Sequence, residues 1–157
     1  MSARVFDEIM NSTAENLTQN CGSGTQNCRN LTQNCRNIRV NFIPVEQMRY
    51  STLDDYQIDP DGVLNITIAG TPDGRSNLAL LIHALIEQFK AEQAGIMPID
   101  VDRWDLSHPN SEEPAEEPGC PYRDAHDAAL FAERAAAASL GLDWIQHTKN
   151  LEDCING

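Results

Sequence analysis

Basic residues are scarce in this chain: Lys and Arg total 11 against 24 Asp and Glu, for a formal net charge of −13. A surface of that sign repels phosphate backbones and anionic lipid, so no nucleic acid and no membrane is expected as a partner. The one exception to the first would be a protein whose own carboxylates mimic nucleic acid. Long apolar runs are missing too. None approaches the roughly 20 residues that a bilayer crossing requires, and the opening stretch, MSARVFDEIMNSTAEN, lacks the apolar core of a secretory leader. A cytoplasmic location is therefore expected. Close cysteine pairs are also absent: Cys21, Cys28, Cys35, Cys120 and Cys154 are odd in number and contain no C-x-x-C spacing. Free thiols in a reducing compartment fit that set better than a disulfide framework, and the sequons at Asn16, Asn30 and Asn65 carry no glycan there.

What is present suits one domain. A chain of 157 residues can bury one real core but not two comfortable ones. Its hydrophobic fraction of 41% is slightly low, as for a globular domain with disordered parts attached. Residues 18–37 hold a seven-residue repeat, TQNCGSG, TQNCRNL, TQNCRN, that places a cysteine at 21, 28 and 35. A coiled-coil seam needs two apolar positions per heptad; here Thr, Gln, Asn and Cys recur, and Gly22-Ser23-Gly24 would break a helix. Two readings remain: a tandem duplication tolerated in a flexible N-terminal stretch, or a tri-thiolate metal or redox site. Thiolate sites favour tight pairs, so the spacing supports the first. Residues 1–37 are expected to be a flexible segment and residues 38–157 a single domain.

From Ile38 the pattern becomes regular. IRVNFIPV reads as a strand over 38–44, ended by Pro44. Asp59-Pro60-Asp61-Gly62 is a turn signal joining strands at 56–59 and 63–69, with Leu64, Ile66 and Ile68 toward the core. Residues 76–94 form the clearest helix: Ser76 or Asn77 caps it, Gly95 stops it, and Leu78, Leu81, Ile82, Leu85, Ile86 and Phe89 recur at helical spacing. A short helical turn around IDVDRWD follows, and the Glu- and Pro-rich stretch containing residues 111–118 is expected to be an exposed loop. A second, alanine-rich helix spans 122–140, and a short C-terminal helix begins at a capping Asp143. Strands first and helices after predict an α+β fold with a small antiparallel sheet.

The chemistry concentrates on the helices. His83 and Glu87, four residues apart, share a helical face and form a half-site for zinc or another divalent ion. The plainer alternative is a histidine bonded to Glu87 or to a backbone carbonyl. His126 on the second helix is a third candidate ligand. Glu133 lies two turns further, roughly 10 Å away at the helical rise, so one of the two would ligate while the other orients it from behind. Asp102 and Asp105, in the connecting turn, are supporting or alternative ligands. His108 and His147 have no companions in the sequence and are expected at the surface.

The stretch from Ile38 to Trp144, about two thirds of the chain, resembles a family of small uncharacterised phage and prophage proteins. In outline its members carry an R-Y-x-T loop, a hairpin, H-E-L-x-E on a helix, D-x-F-D, P-Y-x-x-x-H, a glutamate and L-G-x-x-W. The counterparts here are Arg49-Tyr50-Ser51-Thr52, His83-Ala84-Leu85-Ile86-Glu87, Asp102-Arg103-Trp104-Asp105, Pro121-Tyr122 with His126, Glu133, and Leu140-Gly141-Leu142-Asp143-Trp144. The resemblance implies the cytoplasm of a bacterium or a phage-infected host cell. More distantly, the layout is similar to the core of zinc-dependent peptidases built on H-E-x-x-H, an analogy at the level of fold. This chain departs from them at Glu87, where the second histidine would stand, and at Ala84, where the general base would stand. The resemblance therefore implies a metal-binding domain of metallohydrolase type with a degenerate catalytic site. A different class of function is a non-enzymatic acidic interaction protein with a protein partner, such as a host-factor inhibitor presenting Glu112, Glu113, Glu116 and Glu117, and with a structural His/Glu network free of metal.

Overall fold

A computed structural model describes residues 37–111 and 113–156. The expected flexible segment 1–37, apart from Asn37, and with it the cysteine repeat, lies outside the described residues, as does Glu112. The described chain runs β1 (Ile38–Ile43), a 3-10 turn (Val45–Gln47), β2 (Asp54–Ile58), β3 (Leu64–Ala69), α1 (Gly74–Gln93), α2 (Pro98–Ser107), a second 3-10 turn (Pro114–Glu116), α3 (Arg123–Ser139) and α4 (Trp144–Asn156). The α+β order of sheet then helices is as the sequence predicts.

The sheet corrects one expectation. Its order is β1-β3-β2: β2 and β3 form the expected antiparallel hairpin, but β1 runs parallel to β3, so the sheet is mixed. Hydrophobicity explains the order. β3 buries Leu64, Ile66, Ile68 and Ala69 and takes the centre, where both edges are paired, while β1, with Ile38, Val40 and Phe42 all exposed, is left at the rim. Burying an Ile side chain contributes about 2–3 kcal/mol, so the greasiest strand gains most from the central place. The hairpin turn is held by Asp59, whose Oδ1 accepts from the Asp61 and Val63 N–H groups at 3.0 and 2.9 Å, and Gly62 supplies the positive φ of 79°.

The helices also differ in detail. α1 starts earlier than expected because Asp73, not Ser76 or Asn77, is its cap and accepts from the Arg75 N–H at 2.9 Å. Ser76 is buried, and Asn77 instead binds the Thr71 backbone. The helical turn around IDVDRWD is a ten-residue helix, α2. The loop expected to be exposed folds back at Ala115, which is buried and joins the core, while the Pro114 carbonyl accepts from the Trp104 indole at 2.9 Å.

α1 buries the face that the apolar stripe does not define. Leu78, Ile82 and Phe89 are 47%, 37% and 56% exposed, whereas Ala79, Leu80, His83, Ala84, Glu87, Gln88 and Ala91 face inward. The reason lies in α3, which forms with α1 the most extensive helix–helix interface among the described elements. Small residues line it: Ala79 and Ala137 pack in one cluster, and Ala129 is also fully buried. Side chains of that size let two backbones approach closely, at the lower end of the ~8–10 Å interaxial range. The antiparallel pair then sets the polar positions of α1 against those of α3. Gly141, at φ 67°, ends α3, and Asp143 caps α4 through the Gln146 N–H at 3.1 Å.

Candidate metal centre

One turn of α1 separates His83 from Glu87, and the Ala79–Ala137 packing brings α3 alongside so that His126 meets Glu87 and Glu133 meets His83. The Glu87 Oε2 lies 3.0 Å from His126 Nδ1 and 3.4 Å from His83 Nε2. The two rings stand edge to face with centroids 5.0 Å apart. One ligand atom from each of His83, Glu87 and His126 falls within 4.8 Å of the others, and all three residues are buried. This His/Glu/His group could hold a metal ion.

A ring of further groups supports these three. His83 Nδ1 is 2.7 Å from Glu133 Oε2, and the other Glu133 oxygen is 2.6 Å from His147 Nε2. The Tyr56 hydroxyl donates to Glu87 Oε1 at 3.0 Å. Glu133 is therefore the orienting carboxylate behind His83, and His126, not Glu133, joins the convergent group. Asp102 stands elsewhere: with Asp55 it receives the guanidinium of Arg49, at 2.7 and 3.0 Å, an ion-paired pin between β2 and α2. Asp105 accepts from the Tyr122 hydroxyl. His108 is half-buried against Trp104, ring centroids 4.2 Å apart.

His147 overturns the surface expectation. It is fully buried beside Trp144 and bonds Glu133 through one nitrogen, while its Nδ1 has no partner among the described residues. A signal for this was present, since Trp144, His147 and Leu151 share one face of α4 at helical spacing. Tyr56 was also missed, because a contact between a strand and a helix distant in sequence leaves no periodic trace.

Electrostatics follow from burial and pairing. Burial would push the Glu87 carboxyl up, but hydrogen bonds from His126 and His83 bring it down to about 2. Glu133 is likewise driven up by burial and brought down to about 2 by His147 and His83. Burial would lower His83, yet Glu133 and Glu87 raise it to about 11; His126 is raised in the same way by Glu87. Burial and the Glu87 charge push the Tyr56 hydroxyl far above its ordinary value, so it remains a donor. Asp54 rises to about 7, chiefly through burial, with His83 opposing and Glu87 and Glu133 adding to the rise. Burial also lifts Asp105 to about 6 against the Tyr122 hydrogen bond.

Comparison with protein-family models, curated proteins and solved structures yields no match for this chain. The arrangement itself therefore carries the functional argument.

Proposed function

We propose that this protein is a divalent-metal-binding domain whose ion is held by His83, Glu87 and His126. The observation that carries the reading is the 3.4 Å separation of His83 Nε2 from Glu87 Oε2. Glu133 accepts the Nδ1 proton of His83 at 2.7 Å, a normal charge-assisted distance. In the neutral tautomer that this bond favours, the Nε2 lone pair faces a carboxylate oxygen, an arrangement that a bound cation relieves. A tetrahedral ion with ~2.0–2.1 Å bonds sets neighbouring donor atoms roughly 3.3 Å apart, which is the spacing found on this edge. The three ligand atoms all lie within 4.8 Å of one another.

Charge balance supports the same reading. Two buried carboxylates, Glu87 and Glu133, need two positive charges beside them. One divalent ion with neutral imidazoles supplies both. Two imidazole nitrogens and a carboxylate oxygen suit zinc, manganese or iron, and three protein ligands leave a coordination position open. Glu133 behind His83 and Tyr56 behind Glu87 are the outer partners that orient such ligands. An ion in this place would act as a Lewis acid toward whatever occupies the open position. Ala84 is fully buried in the hydrophobic core, so no proton acceptor comes from that position of α1. In the degenerate-metallohydrolase reading, any such group has to come from another element.

A metal-free network is the second reading, favoured by the 3.0 Å contact of His126 with Glu87, a good hydrogen-bond length. There, protons on His83 and His126 replace the ion. Elemental analysis of freshly purified protein separates the two. The metal reading expects about one zinc, manganese or iron per chain, lost in His83→Ala. A folded protein that carries no metal and takes none up refutes it.

A further inference from the structure

Most of the enclosed carboxyl groups outside the His/Glu/His group are committed to donors. Glu133 accepts from two histidines, Asp105 from Tyr122, and Asp55 and Asp102 from Arg49. Two others feel the charges of His83 and Glu87 yet have no side-chain hydrogen-bond donor among the described residues: Asp54 and Glu113. Glu113 is exposed on its loop. Asp54 is placed differently. It opens β2, pairs in register with the fully buried Ile68, and is two residues from Tyr56. Strand alternation puts Asp54 and Tyr56 on one face. That face looks onto α1, because the Tyr56 hydroxyl reaches Glu87.

We propose that Asp54 is the proton acceptor for a water molecule held in the open position of the His83–Glu87–His126 site. This rests on the metal-binding reading. Asp54 is not one of the group whose ligand atoms lie within 4.8 Å of one another, so it is not counted among the ligands. A carboxylate aimed at the site with no donor of its own takes the water's hydrogen bond. In the transfer, the water O–H bond breaks, the proton goes to an Asp54 oxygen and the electron pair stays on the water oxygen. This supplies from the sheet what the buried Ala84 cannot supply from α1. The charged groups facing Asp54 are His83 and Glu87 from α1, Glu133 from α3 and Glu113 from the loop. Burial chiefly raises Asp54, with Glu87, Glu133 and Glu113 adding to the rise and His83 opposing it.

The test uses the full chain loaded with cobalt(II), whose visible spectrum reports its ligands. Wild type should bind cobalt and show a spectral step near neutral pH. Asp54→Asn should bind within about threefold of wild type and lose that step or shift it by at least one pH unit. Should the asparagine variant not fold by circular dichroism, Asp54→Ser carries the same comparison. A step unchanged in the variant overturns the role of Asp54 and leaves metal binding intact. Loss of cobalt from the variant also overturns it, making Asp54 a ligand. Failure of the wild type to bind cobalt overturns both readings together.

Discussion

Replacing Glu133 with Gln removes one charge from the outer ring and leaves all three candidate ligands in place. Glu133 is 3% exposed and accepts from His83 at 2.7 Å and from His147 at 2.6 Å. Glutamine offers one acceptor oxygen where two are used, and its amide turns donor hydrogens on the remaining imidazole. Breaking a buried pair by removing one charge costs about 3–5 kcal/mol. The ion-free protein should therefore lose about 3 kcal/mol in urea denaturation with chelator present. Metal affinity should fall too, because His83 is no longer held in its tautomer: loss of an orienting carboxylate costs about 10–100-fold, or about 1.4–2.8 kcal/mol. Zinc competition against a chromophoric chelator reads this directly. Glu87→Gln, which removes a ligand charge, should cost more than 100-fold, and Asp102→Asn, confined to the Arg49 pin, should leave affinity unchanged. A folded Glu133→Gln protein that binds zinc within threefold of wild type would refute the argument, as would one weaker than Glu87→Gln.

Three further expectations follow from the same geometry. His147→Ala should destabilise the fold by about 3 kcal/mol or more, because Glu133 loses a buried partner; a change within about 0.5 kcal/mol in the same denaturation assay would mark a surface histidine. Arg49→Ala leaves Asp55 and Asp102, each 8% exposed, without their guanidinium. It should cost about 1–3 kcal/mol, and Arg49→Lys should recover only part because one ammonium cannot fork to two carboxylates. The pH profile of the ion-free protein is set by opposed shifts. Glu87 and Glu133, held at about 2, contribute fully above the ordinary glutamate value of 4.5 and lose that contribution as pH falls toward 2. His83, raised to about 11, contributes fully below 6.5 and loses its share as pH climbs to about 11. Asp54 opposes the fold increasingly between its ordinary 3.8 and about 7. Urea midpoints should peak on the acid side of neutrality and fall steadily above pH 6.5; a maximum in the alkaline range would contradict the pairing of His83 with two carboxylates.

Local chemistry made much of the architecture legible. Strand alternation in β3, the Asp- and Gly-containing hairpin turn, the run of α1 and the glycine stop of α3 all depend on neighbours a few residues away. The His83–Glu87 pair belongs to the same category, since 3.6 residues per turn fixes its juxtaposition whatever surrounds the helix. Tertiary structure decided what that pair faces. Close packing of Ala79 on Ala137 sets the register of α1 on α3, and the register alone determines that His126 meets Glu87 while Glu133 stands behind His83. Non-local contact likewise placed β3 between two strands, drew His147 out of solvent and turned Tyr56 toward the site. Burial is shared between elements distant in sequence, so the apolar stripe of α1 could not reveal that the face carrying His83, Glu87 and the small alanines is the one enclosed.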